Sequence, residues 1–589
     1  MSLENSGCIV TVNSIPQAIC YHETPKFSAA IGAEWSSKSE STSPKLTLND
    51  PGTKGQLSCS GVILDPDTGL VLCHGMIFLP FLLDRDLSKC HYLFRDSFTT
   101  ELQLHVNYLT TKATTKKEVP YMYHGEKEVK LNRRGLGMAL LSSTHQIHRK
   151  IETVTAELLL MVSCSEFQDS FTKLFRKSDS WHFYTEQNEG DADTHLNDMA
   201  SLHWFTLLKM QNFYKSGMKR LNYASAGSLK KGDVTFACGS PFSSFCPDIF
   251  MNTLSKGIVS NLDGKRNAMI LTDARCLPGT EGGGVFILSA GQYYLCGIIV
   301  APLCWRANEW IGLTLVCSVA HIIENVKQAL PALGCCLNSF LVPISGSRTH
   351  FMKFVGNSGL FHLLSAVVLI ESDRTWGSGV MLNPKLLLTC RHVMDGAVHI
   401  TVKLAGEYES SGLNTIKGKV VFATEEASPY DIAVAELESP VPGIKEPILA
   451  NAFHSGEDLL VIGYGVFGRL CSPSVTSGIL SSVITVDGKP VMLQTTCAVH
   501  SGSSGGALIS ACSGELLGIV SSNTKDNTVG ATYPHLNFSI PVTVLQSPLT
   551  EYTKTRDTTA FEVLNRAGEE VKAVWKLQRK SVMKPSSKL

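Results

Sequence analysis

Residues 386–389, 432–435, 458–462 and 516–520 are short apolar runs rich in leucine and β-branched side chains, with glycine or proline punctuating the chain roughly every 8 to 15 residues. Runs of that length between turn residues predict strands, arranged as a sandwich or barrel. Helical periodicity is sparse: residues 318–330 form one candidate and residues 569–579 another. The most apolar stretch, 363–370, falls far short of the ~20 residues that a membrane helix needs. The pattern therefore predicts an all-β protein with no membrane insertion.

The pattern also repeats. Ser255-Lys-Gly-Ile-Val-Ser-Asn261 matches Thr476-Ser-Gly-Ile-Leu-Ser-Ser482, with Gly257 and Gly478 221 positions apart. Gly279-Thr-Glu-Gly-Gly-Gly-Val-Phe286 matches Gly502-Ser-Ser-Gly-Gly-Ala-Leu-Ile509 at an offset of 223, and Cys296-Gly-Ile-Ile-Val300 matches Leu517-Gly-Ile-Val-Ser521 at 221. Three blocks at nearly one offset imply two copies of one long domain. Upstream the offset grows, since Gly61-Val-Ile-Leu64 resembles Gly379-Val-Met-Leu382. The first copy must therefore carry insertions, placed at the polar run 178–198 and in the segment after Met210; residues 36–55 read as a surface loop. We expect an inactive copy over 1–335, a linker at 336–345, a working copy over 346–555 and a tail over 556–589.

Composition narrows the class. Apolar residues make up 44% of the chain, and the 589 residues exceed what one core can organise. Lys plus Arg and Asp plus Glu both total 52, so there is no basic excess of the kind nucleic acid binding uses. The 18 cysteines are scattered, without ligand-like pairs, which favours free thiols in an intracellular compartment and no metal site. The N-terminus lacks a basic region followed by an apolar core, so no secretory signal is expected. The chain ends in Ser587-Lys588-Leu589, a tripeptide read as an address by the peroxisomal import receptor.

Candidate chemistry lies in the second copy. Nucleophilic serine needs an exposed hydroxyl and backbone N–H groups aimed at the developing oxyanion. Ser501-Gly-Ser-Ser-Gly-Gly506 supplies Ser504 as nucleophile, with the amides of Gly502 and Ser504 as the oxyanion hole. His392 follows an apolar run and precedes a turn at Asp395-Gly396, a placement suited to a rigid general base. Asp431 opens the apolar run Asp-Ile-Ala-Val434, where a carboxylate requires a partner; an imidazole N–H is one. Cys390 and Cys497 read as packing residues.

These blocks carry a resemblance. Thr389-Cys-Arg-His-Val393, Asp431-Ile-Ala-Val434 and Gly502-Ser-Ser-Gly-Gly506 stand in the order used by trypsin-like serine proteases, particularly the HtrA/Deg branch. Ser477 to Ser481 and Phe538-Ser-Ile-Pro541 extend the likeness, which covers about 367–545; no PDZ-like segment is expected after it. The resemblance implies duplicated trypsin-like (chymotrypsin-fold) double β-barrels. With the duplication and the terminal tripeptide, the whole chain resembles the peroxisomal Deg-type processing proteases. That implies a cofactor-free endopeptidase that removes N-terminal targeting leaders after a cysteine and cleaves certain β-oxidation enzymes. Its partners would be peroxisomal precursor proteins and the import receptor; homo-oligomerisation stays open. In trypsin-like enzymes the residue six before the nucleophile sets the pocket charge. Here it is Ala498, with Ser521, Ser522 and Asn523 as small polar walls, so a small or cysteine-like side chain is expected and a basic one is not.

The first copy lacks this chemistry. Alignment puts Glu281 at the serine position, Gly137 at the aspartate position and Met76 at the histidine position, leaving His74 two residues early. Glu281 and His74 are too few for a metal site. Two other readings are a scaffold of two inactive domains, which would require a lost triad residue in the second copy, and an esterase of another fold, which would place its histidine last.

Overall fold

A computed structural model describes residues 3–13, 57–112, 148–176, 181–183, 201–213, 220–333, 352, 359–404, 415–525 and 532–577, leaving out 85, 88, 89, 303, 307, 308 and 373. Gly137, the linker 336–345 and Ser587, Lys588 and Leu589 lie outside the described residues.

The described chain builds four closed six-stranded antiparallel barrels. Barrel 1 holds strands Gly7–Val12, Leu57–Asp65, Leu70–His74, Leu104–Lys112, His148–Ser163 and Trp204–Met210. Barrel 2 holds Val234–Gly239, Thr253–Asp263, Met269–Thr272, Gly284–Ser289, Gln292–Ala301 and Thr314–Ser318. Barrel 3 holds Val367–Glu371, Trp376–Met381, Leu386–Thr389, His399–Lys403, Thr415–Ala423 and Ala433–Leu437. Barrel 4 holds Asp458–Gly463, Ser474–Val486, Lys489–Thr495, Ala507–Ser510, Leu516–Lys525 and Thr532–Pro541. Counted in chain order, the strands run 1-2-3-6-5-4 around every barrel. One connectivity used four times, in two pairs, is the duplicated double barrel expected from the repeats, and closure pairs both sides of each barrel strand.

The apolar runs form the strands because their side chains fill the barrel interiors. Val367–Glu371 and Leu386–Thr389 are buried at every position. Each fully buried Val, Leu or Ile there contributes ~1.5–3 kcal/mol relative to exposure. The stretch 363–370 is divided between the end of a short helix, Gly359–Ala366, and the first strand of barrel 3. Among the described residues no helix is long and apolar enough to cross a membrane. A helix at Val319–Ala329 follows barrel 2, close to its expected place. The helix Val542–Thr555 after barrel 4, with Pro548 inside it, was not legible from periodicity. Beyond it, Phe561 and Leu564 are buried in the core shared by barrels 3 and 4, and Trp575, at the end of the helix Glu569–Trp575, donates from Nε1 to Val491 O at 3.1 Å.

Candidate active site

His392 is positioned by the strand Leu386–Thr389. The strand ends at Cys390, whose buried thiol donates to Val520 O of barrel 4 at 3.2 Å. One helical turn, Arg391–Met394, follows and is stopped by Asp395 and Gly396 at φ 46° and 76°. Asp431 precedes the strand Ala433–Leu437, which pairs directly with the histidine strand, Ala433 opposite Thr389. Register therefore brings the two residues together although 39 positions separate them. Asp431 Oδ1 accepts the His392 backbone N–H at 3.0 Å, and Oδ2 bonds Nδ1 of the ring.

Burial would raise the Asp431 carboxyl pKa. Hydrogen bonds and charge from His392, with Arg391 adding its own charge, outweigh burial and hold it below the usual range. Arg391 Nε lies 3.9 Å from Oδ1. An ionised acceptor at Nδ1 keeps the ring proton there, so Nε2 carries a lone pair.

The serine loop is shaped by two glycines in the left-handed region, Gly502 at φ 91° and Gly505 at φ 82°. A Cβ on Gly502 would stand 2.4 Å from the Trp376 ring and 2.6 Å from Tyr464 O; one on Gly505 would stand 2.1 Å from Ser378 O and 2.4 Å from Thr389 Oγ1. Neither position accepts a side chain without moving backbone. Ser378, from barrel 3, fastens the loop. Its Oγ donates to Gly502 O at 2.7 Å and accepts Tyr464 N–H at 2.7 Å, while its N–H donates to Ser504 O at 2.9 Å.

The amides in the loop alternate. Ser503 N–H donates to His500 O at 2.9 Å and Gly505 N–H to Val520 O at 2.7 Å. The N–H groups of Gly502 and Ser504, between and beside them, have no acceptor among the described residues. Ser504 Oγ donates to Ser521 O at 3.2 Å and has no hydrogen bond to His392. Of the expected pocket residues, Ala498 and Ser521 are buried and Ser522 is exposed. Asn523 sits opposite Asn537 in the strand register.

Cys390, His392 and Asp431 each place one donor atom within 4.8 Å of the others, the spacing of a metal cluster. Burial, with the charge of Asp431 adding, pushes the Cys390 thiol pKa well up. It is therefore a protonated donor to Val520 O, and the imidazole and carboxylate bond each other. The three donor atoms are engaged within the site, by Val520 O and by one another.

In the first copy the same frame encloses different chemistry. Ser60 Oγ donates to Gly279 O at 2.7 Å and accepts Ser240 N–H at 2.8 Å, repeating the bonds of Ser378. Gly279 and Gly282 have φ 92° and 84°. Glu281, however, turns its carboxylate back to accept the Gly279 N–H at 2.7 Å. Met76 is buried at the start of the turn after the strand Leu70–His74. His74 is a neutral core histidine: burial pushes its pKa down to about 4, Nδ1 accepts Met76 N–H at 3.3 Å and Nε2 meets Leu202 O at 3.0 Å. The alignment of Gly137 with Asp431 requires correction. The strand paired with Leu70–His74 is Trp204–Met210, with Thr206 opposite Cys73, so the register puts Trp204 in the place of Asp431. A long insertion separates the two copies' numbering there, and local similarity around 136–140 misassigned the strand.

Ser378, Trp376 and Arg391 were missed from sequence. Ser378 had a signal: Ser60-Gly61 and Ser378-Gly379 repeat at the aligned position.

The loop 502–506 runs into a strand, Ala507–Ser510, and the histidine stands first in the chain, which excludes the esterase reading. Two paired six-stranded barrels with the histidine on one and a glycine-framed serine on the other define a trypsin-like serine peptidase. A trypsin-like peptidase domain matches residues 377–519. Over 558 residues the chain is 45% identical to the mouse peroxisomal leader peptide-processing protease, covering 91% of this chain and 95% of that one. It is 44% identical over 552 residues to the human protein of the same name, again covering 91% and 95%. A probable periplasmic DegP-like serine endoprotease of Buchnera aphidicola is 31% identical over 185 residues, 30% of this chain and 36% of that one. The chain belongs to the family of the peroxisomal leader peptide-processing proteases.

Proposed function

We propose that this chain is a peroxisomal matrix endopeptidase that removes N-terminal targeting leaders from imported proteins, with His392, Asp431 and Ser504 as its triad. The observation that carries the assignment is the double hold of Asp431 on His392, through the ring Nδ1 and the backbone N–H. It fixes the tautomer with Nε2 as base. The Ser504 hydroxyl turns from Ser521 O to Nε2, gives up its proton and attacks the scissile carbonyl. The oxyanion receives the Gly502 and Ser504 N–H groups, and collapse returns the proton from His392 to the leaving amine. Water, activated by the same ring, then releases the acyl group from Ser504.

Cleavage after a small or cysteine-like residue fits the uncharged Ala498, with Ser521, Ser522 and Asn523 as walls. Internal cleavage of β-oxidation enzymes and recognition of Ser587-Lys588-Leu589 by the import receptor belong to the same reading. So does the division into an inactive copy over 1–335 and a catalytic copy over 346–555. Met76 and Glu281, with Trp204 in the aspartate place, leave the first copy without a triad. Labelling of the purified chain by a fluorophosphonate, with the adduct located by mass spectrometry, tests the assignment. An adduct on Ser504 alone is expected, and an adduct on another serine would displace it.

A further inference from the structure

The inactive copy grips one segment of the active copy. The residues joining Asp458–Gly463 to Ser474–Val486 carry Val466 and Phe467, both buried within the hydrophobic core of the first copy. Phe467 stacks on Trp181 at 5.5 Å with 13° between the rings, and meets the edge of Phe175 at 5.5 Å. Both aromatics lie in the long connection between the fifth and sixth strands of barrel 1, His148–Ser163 and Trp204–Met210, where the active copy has only the short join from Thr415–Ala423 to Ala433–Leu437. Arg306, whose guanidinium carbon stands 5.7 Å over the Trp181 ring, donates from Nη1 to Val466 O at 2.7 Å. Farther along, Lys231 Nζ donates to Ser472 Oγ at 2.7 Å and Pro473 O at 2.5 Å. Asn261 Nδ2 donates to Ser472 O at 3.0 Å and Ser474 Oγ at 2.9 Å, and Asp273 Oδ2 accepts from Ser477 N and Oγ at 2.5 and 2.8 Å.

The near end of the same segment is built into the serine loop. Val466 N–H donates to His500 Nδ1 at 3.3 Å, and the His500 ring lies so close over Gly465 that a Cβ there would sit 1.7 Å from it. Tyr464 O bounds Gly502 on one side, and Trp376 bounds both Gly502 and Gly468. Val466 is therefore a two-sided link, its carbonyl held by the inactive copy and its N–H holding the loop that carries the Gly502 and Ser504 amides. Those amides stabilise an oxyanion only while their directions are fixed, and backbone with φ near 90° keeps its direction through its neighbours.

We propose that the inactive first copy is a built-in positioning subunit, in which Trp181, Phe175 and Arg306 hold Val466 and Phe467 and thereby set the oxyanion loop through His500. This rests on the assignment of Gly502 and Ser504 as oxyanion donors. It gives the catalytically silent copy a role in the chemical step of the active copy, with Trp181, Arg306 and Phe467 as positioning residues that never touch substrate.

The test uses the full chain and a chromogenic peptide with a small residue at the cleavage position, together with a boronate of the same peptide. In Trp181→Ala and Phe467→Ala, kcat should fall ~10–100-fold with KM within about three-fold, and boronate affinity should fall in parallel. Trp181→Phe should recover to within about three-fold, because it refills the aromatic pocket. Should the alanine variants fail to fold, Arg306→Gln and Phe467→Leu decide by the same readouts. Folded variants that keep wild-type kcat and boronate affinity, or that lose only in KM, would overturn the proposal. A wild-type chain whose boronate or fluorophosphonate does not join Ser504 would instead remove the site assignment on which it rests.

Discussion

The Gly279 N–H donates to Glu281 Oε2 at 2.7 Å, so the residue at the nucleophile's position in the first copy closes on the amide equivalent to that of Gly502. An oxyanion hole that already holds a carboxylate has neither room nor charge for a second anion. Glu281→Ala should therefore leave peptidase activity within a few-fold of wild type. Glu281→Ser should create no second fluorophosphonate site, since Met76 and Trp204 stand where the base and its partner are needed. Peptide assays and adduct mapping check both, and a folded but inactive Glu281→Ala chain would contradict them.

Acid should weaken the fold through its buried histidines. Burial pushes His74, His203 and His535 down to about 4, with a weaker push from His74 on His203 and from Arg275 on His535. Unfolded histidines titrate near ~6.5. Between those values the unfolded chain binds protons that the folded chain refuses, so stability falls as pH drops from about 6.5 to about 4 and the histidine contribution levels off below. The urea midpoint followed over that range should decline, and less steeply in His203→Gln. A flat midpoint would contradict the reading of these rings as neutral.

Ala498 offers no charge to a basic side chain, and it is buried beside Gly312 of the first copy, where an added Cβ would stand 3.3 Å from the Ala498 methyl. A cation there would lose hydration without gaining a partner. A peptide library should show small or cysteine-like residues favoured by at least ~10-fold over Lys and Arg at the cleavage position, about 1.4 kcal/mol of discrimination. Dominant cleavage after Lys or Arg would overturn this view of the pocket.

Deleting Ser587, Lys588 and Leu589 should leave the protein in the cytosol, with its activity in solution unchanged, because the role proposed for the tripeptide is an import address. Fluorescence imaging of the truncated chain, in cells where the full chain is punctate, makes the comparison. Persistent puncta would show that another signal or a bound partner carries the chain in.

The double barrels were legible because burial forces apolar runs at strand length, and because Gly279, Gly282, Gly502 and Gly505 occupy left-handed backbone that any copy must repeat. The His392–Asp431 pair was legible from an aspartate set directly before a buried run. Trp204 was not, because strand pairing across an insertion leaves no local trace and only the hydrogen-bonded register reveals it. The helix Val542–Thr555 contains Pro548, which obscures helical patterning. The grip of Trp181 on Phe467 joins positions far apart in the chain, and each looks in isolation like an ordinary core aromatic.

In the proposed mechanism Ser504, activated by His392 and Asp431, cuts leaders from peroxisomal precursors. Ser504→Ala, His392→Ala and Asp431→Asn should each lower turnover by at least ~10⁴-fold, and combinations should cost little more, since the three act as a unit. The direct measurement incubates purified wild-type and Ser504→Ala chains with candidate peroxisomal precursor proteins and sequences the new N-termini by mass spectrometry. Wild type should form one discrete new terminus per precursor near its leader, and Ser504→Ala should form none. The same termini appearing at wild-type rate with Ser504→Ala would contradict the mechanism.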